Sequence, residues 1–427
     1  MLATVLFGSL AGFLAFGVPV IFAVGAAALL TVVLFIPTMP LVIMPMSMFN
    51  GMDSFPMMAI PFFILAGELM NSGGISLRLV NFAKTLVGHI QGGLGHTNVV
   101  ANAIMAAISG SALANIAAVG RVLIPAMEKE NYNKEVAASI TICASLLGPI
   151  IPPSITMVIF AVTASQSVGA LFLAGVVPGV LIAAGMMGVI YFLSKRRNYG
   201  VVRPFSKGAV LHEAKKSGFA LFMPVVILGG IFSGIMTPTE AAAVAVLYAL
   251  LIGFFVYREL NVKDLWKILL RTGMTTSFIM LIIGAARIFS DVMLSEAIPQ
   301  AVAAAMLSIT ESPYLLLLLI NALLLLIGCV MDTTAAIIIL VPVLMPVVQI
   351  MGIDPVLFGV LMSINLVIGM ATPPIGVALF LGAEVAGTRV ERIIPPVFAF
   401  LCVHVAVLLL ISYVPSVALW LPRALGY

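Results

Sequence analysis

Charged side chains are scarce in this chain. They make up 8% of its 427 residues, whereas hydrophobic residues make up 63%. A soluble domain has about 25% charged residues, so this balance excludes an ordinary globular protein. Intrinsic disorder and nucleic-acid binding both need dense charge and are excluded for the same reason. With a formal charge of only +4 and a mean hydropathy of +1.25, the chain is expected to lie in a lipid bilayer.

Cysteine and phosphate-binding loops are also scarce or missing. The three cysteines, Cys143, Cys329 and Cys402, lie far apart in apolar segments. This spacing predicts neither a disulfide framework nor a metal knuckle, and favours small core residues. The chain contains no Gly-Lys pair, which excludes the phosphate-binding loop of an ATP-driven pump. Sustained period-two alternation is missing too, which excludes a transmembrane β-barrel.

Long apolar runs are what the sequence does contain. At roughly 20 residues for each span, they predict an all-α polytopic membrane protein with about a dozen crossings. The N-terminus has no basic region and no small-residue cleavage site, so we interpret it as a first span and not as a signal peptide. The runs cover residues 2–37, 56–71, 97–127, 136–166, 169–193, 219–257, 273–293, 312–350, 354–385 and 394–418.

Two clusters of basic residues predict the orientation in the membrane. Seven basic residues and one acid lie between Ser194 and Ser217, and the positive-inside rule places this loop in the cytoplasm. Residues 219–257 are long enough for two spans, and the chain returns to a second basic stretch at 258–271. Residues 261–271 have one apolar face, which predicts an interfacial helix; a solvated connector is the alternative. The first cluster consists of Lys195, Arg196, Arg197, Arg203, Lys207, Lys215 and Lys216.

A weak internal repeat is centred on two Pro-Pro pairs. Gly148–Ser154 and Gly369–Ile375 both contain Pro-Pro inside apolar surroundings, and Pro152 and Pro373 are 221 positions apart. The same offset aligns Pro125 with Pro346 without a gap. Paired Gly/Pro-interrupted segments in the two halves of a chain indicate the binding site of a secondary transporter.

The Pro-Pro pairs predict two broken helices and a site for small ions. Proline removes an N–H donor and bends the preceding residue out of the helix, so carbonyls one turn earlier lose their partners. Such carbonyls are tolerated in hydrocarbon only inside protein or beside a wet cavity. Together with Thr or Ser hydroxyls they suit a cation such as Na⁺, while the half-helix N-termini favour anions. A kink that only shapes packing is the alternative.

Small polar turns interrupt two further apolar runs. Residues 97–127 are interrupted at Ser109–Asn115 and residues 312–350 at Gly328–Thr334. A polar turn halfway along a long apolar run predicts a re-entrant hairpin. Asp332 is the most informative residue of the second turn, because a carboxylate at membrane depth is costly and needs a cation or a donor. A helix N-cap is the alternative for Asp332 and is compatible with such a role.

At these segments the sequence resembles the large membrane subunit of the tripartite ATP-independent periplasmic (TRAP) transporters. The resemblance extends over essentially the whole chain, and its combination of motifs is specific. The segments that carry it are Ala59–Asn71, Ser109–Asn115, Gly148–Ser154, Pro238–Ala242 and Ala371–Pro374.

The resemblance implies a transporter of the bacterial inner membrane and not an enzyme. It implies inverted structural repeats with two re-entrant hairpins and two broken helices, which move as an elevator. It also implies a small four-helix membrane subunit, a periplasmic substrate-binding protein, a carboxylate substrate (sialic acid, another sugar acid or a C4-dicarboxylate) and Na⁺ as coupling ion, with no other cofactor. The expected units are N-terminal scaffold helices 1–95, first hairpin and broken helix 96–193, basic loop 194–218, second scaffold part 219–311, second hairpin and broken helix 312–393, and C-terminal helix 394–427.

Site residues follow from the resemblance and the repeat. Family sodium ligation carried to matching positions implies Gly328, Gly369, Thr372 and Ile375, and the hairpin tip adds Asp332 and Thr333. The repeat extends this set to Ser109, Ser111, Gly148, Pro149 and Ile151 in the first half. The expected substrate contacts are Ser111, Asn115, Pro152, Ser154, Arg287 and Pro373.

Several readings of the polar residues remain open. Arg287 lies four residues before Asp291 and either pairs with it or binds a substrate carboxylate. Glu68 and Glu384 lie near segment ends and are interpreted as interfacial, with proton relay as the alternative. An intramembrane protease using Ser109 or Ser111 with His404 would leave the repeat unexplained. A stand-alone sodium/carboxylate symporter of related fold is the main alternative function.

Overall fold

The computed structural model describes residues 2–36, 40–202, 204–310 and 312–427, and within these ranges the chain is helical with no strand. Arg203, which was counted in the basic loop, lies outside the described residues. The apolar run at the N-terminus forms two helices, Leu2–Ala15 and Val20–Phe35, as its length predicts. Gly17, with a φ of 78°, and Pro19 separate them, because glycine accepts the left-handed turn and proline cannot continue the first helix.

Eight helical stretches in the described part of the chain are long and apolar enough to cross a membrane. Shorter apolar helices add to them, as expected for a polytopic protein with interrupted spans. The eight stretches are Phe55–Ser72, Val168–Arg197, Lys207–Phe232, Pro238–Val256, Val262–Ser295, Pro313–Val330, Thr333–Ile350 and Val390–Tyr413.

The first hairpin consists of helices Gly93–Ser109 and Ala112–Lys129. Its start and its end both contact the residues that follow the basic end of helix Val168–Arg197. Gln91 Nε2 donates to the Tyr199 carbonyl over 3.1 Å, and the Tyr132 ring stacks on Tyr199 with centroids 4.7 Å apart. Burial raises the pKa of the Tyr132 phenol, so the ring stays neutral in this contact. The chain therefore enters and leaves the hairpin at one end of the molecule.

The second hairpin, Pro313–Val330 and Thr333–Ile350, opens at the other end. The Tyr314 ring lies 6.0 Å from that of Tyr413, close to the start of the short helix Ser416–Ala424. After this helix, Tyr427 packs against Gly169 at the N-terminal end of the long helix Val168–Arg197. This long helix has its basic end beside the first hairpin, so the two hairpins open to opposite ends.

Each hairpin is followed by a broken helix, as the Pro-Pro pairs predict. The first consists of Lys134–Ser145 and Ile155–Thr163, and the second of Pro355–Met370 and Val377–Ala386. The Pro152–Pro153 and Pro373–Pro374 peptide bonds are both cis. Ser154 caps the helix that follows the first break by accepting from Met157 N. The equivalent helix in the second half starts after Gly376, whose φ is 39°.

The remaining helices pack around these four elements, and we call those before residue 93 and between residues 207 and 309 the scaffold helices. The two spans predicted in 219–257 are present, and Thr237 and Glu240 form a capping box at the start of the second. The scaffold helices are Leu2–Ala15, Val20–Phe35, Ile43–Met52, Ala59–Ser72, Ile75–Val87, Lys207–Phe232, Pro238–Leu251, Val262–Ser295 and Ile298–Ile309, with a 3-10 turn at Phe55–Met58 and a π-turn at Ile252–Val256. The chain closes with Val390–Tyr413 and Ser416–Ala424.

The predicted interfacial helix over residues 261–271 does not form a separate element. These residues are the first turns of the 34-residue helix Val262–Ser295. The reason is that no proline lies between the amphipathic stretch and the following span, and Gly273 alone does not end a helix. The apolar face remains exposed, with Trp266 at 70%. At about 1.5 Å for each residue the helix is about 51 Å long, which exceeds the roughly 30 Å hydrocarbon core.

Candidate functional site

A cavity of about 500 Å³ lies between the two hairpin tips and the scaffold helices. One wall comes from the tip of the first hairpin and the break beside it, and a second from the start of helix Thr333–Ile350. The opposite wall comes from scaffold helices Ala59–Ser72 and Val262–Ser295. The lining residues are Ser109–Ala114, Pro149, Ile155, Thr156, Asp332–Thr334 and Met370 on the hairpin side, and Ile64, Gly67, Glu68, Asn71, Thr275, Phe278, Ile279 and Ile282 on the scaffold side.

Glycines let each hairpin tip lie directly against the break in its own half. A Cβ atom on Gly148 would come within 2.8 Å of the Ser111 carbonyl carbon, and one on Gly369 within 2.4 Å of the Gly328 carbonyl carbon. Real Cβ atoms are not found at such distances, so only glycine fits either position. Gly376 N also donates to the Cys329 carbonyl over 3.3 Å. The two aligned glycines of the repeat therefore serve the same purpose, which is contact between tip and break.

The hydroxyl groups near the tips and breaks mostly donate their protons to the protein. Ser109 Oγ donates to Asn115 Oδ1 over 2.7 Å, and Thr372 Oγ1 donates to the Ile368 carbonyl over 2.8 Å. Ser154 Oγ donates to the Pro149 carbonyl. Thr333 Oγ1 is buried and has no hydrogen-bond partner in the described structure. A ligand could therefore bind to the oxygen lone pairs of Ser109 and Thr372 and to the Thr333 hydroxyl.

Asp332 is the N-cap of the second helix of hairpin two. Its Oδ2 accepts from Thr334 N over 2.9 Å, so the capping interpretation is confirmed. The residue is also exposed and lines the cavity. Its second carboxylate oxygen is therefore free to face a ligand while the first one caps the helix.

The structure brings five of the predicted residues to the cavity wall: Ser109, Ser111, Pro149, Asp332 and Thr333. The others do not line it. Asn115 and Ser154 are fully buried behind the first tip. The three predicted glycines, Gly148, Gly328 and Gly369, lie where a tip contacts its break. Ile151, Pro152, Thr372, Pro373 and Ile375 belong to the breaks but lie outside this cavity.

Arg287 lies away from the cavity. Its Nε is 3.1 Å from Asp291 Oδ1, four residues later on the same helix, so the pairing alternative is confirmed. Its Cβ packs against Gly51 of the scaffold so closely that a Cβ atom on Gly51 would lie 2.7 Å from it. In this arrangement Arg287 does not contact the other predicted substrate residues.

The scaffold wall of the cavity was not predicted from the sequence. Glu68 was interpreted as interfacial, and the structure places it on the cavity wall with Asn71 and Thr275. The signal that could have revealed it is the motif Ala59–Asn71, which contains Glu68 and Asn71. No Lys, Arg or His is among the described lining residues. Positive potential comes instead from the N-termini of the helices that begin at Ala112 and Ile155.

The lining suits a hard cation of low charge together with an organic anion. The polar groups of its lining include serine and threonine hydroxyls and the carboxylates of Asp332 and Glu68, which are the oxygen donors that alkali and alkaline-earth ions prefer. No group of three or more His, Cys, Asp or Glu residues that could hold a metal ion occurs among the described residues. Two opposed hairpins, two broken helices and a cavity at their meeting point define the class of secondary transporters.

Comparison with known proteins identifies the family. The sequence profile described as "Tripartite ATP-independent periplasmic transporter, DctM component" matches residues 7–417. The sialic acid TRAP transporter large permease SiaM of Vibrio cholerae is 42% identical over 89% of both chains. The C4-dicarboxylate large permease DctM of Pseudomonas aeruginosa is 39% identical over 94% of both. The isethionate permease DctMQ of Oleidesulfovibrio alaskensis is 42% identical over 97% of this chain and 66% of its own length.

The chain therefore belongs to the DctM family, the large permeases of TRAP transporters. It is a multi-pass protein of the bacterial inner membrane and a transporter subunit, not an enzyme. Among solved structures, the YdaH transporter of Alcanivorax borkumensis has a similar fold, with a TM-score of 0.65 over 89% of both chains at 15% identity.

Proposed function

We propose that this chain imports an organic acid by Na⁺ symport, with an elevator movement of its hairpins and broken helices against the scaffold helices. A periplasmic binding protein delivers the substrate, and a small four-helix membrane subunit completes the complex. The observation that carries this proposal is the cavity, because both hairpin tips form one wall and the scaffold forms the other. A movement of the tips past the scaffold would carry the contents of the cavity with them.

The substrate is proposed to be a carboxylate, either a sugar acid such as sialic acid or a C4-dicarboxylate. Relatives named for sialic acid and for C4-dicarboxylates support these two classes. In the cavity, the helix N-termini at Ala112 and Ile155 would bind the anionic end through their free N–H groups. The apolar side chains Ile64, Phe278 and Ile282 would contact its carbon skeleton.

Sodium is proposed to bind where the tips meet the breaks. Ser109, Ser111, Asp332, Thr333 and, at the second break, Thr372 would hold it through side-chain oxygens. The carbonyls around Gly148, Gly328 and Gly369 would complete the ligand set. The ion would supply positive charge next to the substrate carboxylate, in a cavity whose described lining has no basic side chain. Thr333 Oγ1 fits this role because it is buried without a hydrogen-bond partner, which is costly unless a ligand compensates.

Reconstitution tests the proposal. Proteoliposomes containing this chain and a small TRAP membrane subunit are supplied with a periplasmic binding protein and a radiolabelled sugar acid or dicarboxylate. We expect uptake with an inward Na⁺ gradient and none with K⁺ in place of Na⁺. Equal uptake in both would contradict Na⁺ coupling. Robust uptake by this chain alone would instead support the stand-alone symporter.

A further inference from the structure

Six polar side chains behind the first hairpin tip form a continuous hydrogen-bonded chain, which we call the polar chain. It connects both helices of the first hairpin with the first segment of the first broken helix. All six side chains are buried, with exposed fractions of 5% or less, and buried polar groups are costly unless they are paired. Its members are Asn98, Asn102, Ser109, Asn115, Thr141 and Ser145.

Only Ser109 in the polar chain reaches the cavity. Its hydroxyl donates to Asn115 Oδ1 over 2.7 Å, and its oxygen accepts a longer bond from Ser111 N over 3.4 Å. Because an amide oxygen cannot donate, the proton of the Ser109 hydroxyl must point toward Asn115 and away from the cavity. One lone pair of Ser109 Oγ is left for a ligand.

The orientation of the Asn115 amide is set by its neighbours. Its Nδ2 donates to the Asn102 carbonyl over 3.5 Å, which leaves Oδ1 toward Ser109. Asn102 contacts two further members of the polar chain: its Nδ2 donates to Asn98 Oδ1 over 2.8 Å, and its Oδ1 lies 3.1 Å from Ser145 Oγ, whose single proton is shared with the Thr141 carbonyl at 2.6 Å.

The far end of the polar chain is fixed on the broken helix. Asn98 Nδ2 donates to Thr141 Oγ1 over 2.7 Å, and Thr141 and Ser145 both belong to Lys134–Ser145. The position of Asn115 therefore depends on the same helix that leads into the Gly148–Ser154 break. A change in the break would reach Ser109 through these bonds.

We propose that Asn115 is a positioning residue, which turns the Ser109 hydroxyl proton away from the cavity so that the oxygen presents a lone pair to a cation. This inference rests on the proposed binding of sodium at the hairpin tips. It replaces the expectation that Asn115 contacts substrate, since the side chain is fully buried and does not line the cavity. Without the Asn115 acceptor, the hydroxyl is free to aim its proton at the cation site.

The test measures sodium binding without transport. The full chain is purified in detergent, and the rise of its unfolding temperature is followed against NaCl, with choline chloride at equal ionic strength as reference, because a bound ligand stabilises the folded state. Asn115→Leu removes the acceptor at similar size, Asn115→Asp keeps an acceptor oxygen, and Ser109→Ala removes the ligand oxygen. Asn115→Ala also removes the acceptor, and it is included because a smaller side chain avoids overpacking if leucine does not fit at position 115.

We expect Asn115→Leu and Asn115→Ala to raise the NaCl concentration for half-maximal stabilisation about tenfold, the size of one lost hydrogen bond. For Asn115→Asp, the NaCl concentration for half-maximal stabilisation should stay within about threefold of the value for the unmodified chain. The double variant Ser109→Ala/Asn115→Leu should be no worse than Ser109→Ala alone, because the two residues act through one oxygen. Asn321→Leu is the matched control: it removes a buried amide of the second hairpin that bonds Ser412 and Asn365, and should lower the unfolding temperature without changing the sodium midpoint.

The outcomes separate the inference from the proposed function. If Ser109→Ala raises the sodium midpoint and both Asn115 variants leave it unchanged, Asn115 does not position Ser109 and the inference is overturned. Additive effects in the double variant would overturn it as well. If Ser109→Ala itself leaves the midpoint unchanged, sodium does not bind at this tip, and the proposed site fails along with the inference.

Discussion

At the scale of single residues, the direction of hydroxyl protons decides what the hairpin tips and the breaks can bind. Ser109 and Thr372 lie in different halves of the chain, yet both donate to an acceptor of the protein and leave their oxygens as acceptors. Acceptor oxygens favour a cation over a second anion, whereas the helix N-termini nearby favour an anion. The two kinds of group together fit a substrate carboxylate accompanied by a cation.

Thr372→Val tests the second half of the proposed sodium site. The substitution removes one oxygen at nearly constant shape, which should cost on the order of 1–3 kcal/mol, or roughly ten- to hundredfold in the sodium concentration for half-maximal uptake. Thr163→Val is a matched control, because Thr163 makes the same bond to the carbonyl four residues earlier over 2.8 Å but lies outside the cavity and the breaks. An unchanged sodium midpoint in Thr372→Val, with normal membrane insertion, would place the sodium site elsewhere.

Gly369→Ala tests the contact between the second tip and its break. The added Cβ would meet the Gly328 carbonyl carbon at 2.4 Å, and a backbone neighbour cannot move aside as a side chain can. Overpacking of this kind should lower the free energy of unfolding by about 1–3 kcal/mol. Gly188→Ala, in the long helix Val168–Arg197, meets nothing within 4 Å and should be neutral or slightly stabilising.

Thermal unfolding in detergent compares the two glycine variants. A Gly369→Ala chain as stable as the Gly188→Ala chain would mean that the tip and the break are not in close contact.

At the scale of helices, local chemistry decided which predictions were right. The breaks at Gly148–Ser154 and Gly369–Ile375 were predictable, because proline acts on its own backbone whatever surrounds it. The polar turns at Ser109–Asn115 and Gly328–Thr334 were predictable for a similar reason, since capping residues such as Ser111 and Asp332 act within one turn. The continuity of Val262–Ser295 was not, because the lack of a proline between the amphipathic stretch and the span permits one helix but does not require it.

The orientation of the elements is tested by labelling at two exposed positions. Lys207 lies at the basic end of helix Lys207–Phe232, and Ile235 lies just after its other end with 80% of its surface exposed. The positive-inside rule places Lys207 in the cytoplasm. With the one exposed native thiol, Cys402, removed, an impermeant maleimide should label Ile235→Cys in intact cells and label Lys207→Cys only after the cells are broken. The reverse pattern would contradict the topology.

At the scale of the whole molecule, the sequence could indicate half of the cavity. The tips and the breaks carry Pro, Gly, Ser and Asp in patterns with local meaning, and Ser109, Ser111, Pro149, Asp332 and Thr333 do line it. The scaffold wall could not be predicted, because Glu68, Asn71 and Thr275 reach the cavity only through the packing of distant helices. Helix phase explains why two other predicted residues do not line the cavity: Asn115 faces the interior of the hairpin, and Arg287 faces Asp291.

The contact between the first tip and the scaffold gives the most direct test of the proposed transport movement. A Cβ atom on Gly67 would lie 3.9 Å from Ser109 Cβ, which is within the range for a disulfide. The double variant Gly67→Cys/Ser109→Cys should therefore cross-link on oxidation and fix the tip to the scaffold. The Ser109→Cys substitution removes a proposed sodium ligand and should weaken Na⁺ binding, so uptake is measured at a saturating Na⁺ concentration.

The measurement is substrate uptake by the reconstituted complex containing this double variant, before oxidation, after oxidation and after reduction, with each single variant as a control. The account predicts that oxidation stops uptake only in the double variant and that reduction restores it. Uptake that continues at the same rate in fully cross-linked protein would contradict a transport movement of the hairpins against the scaffold.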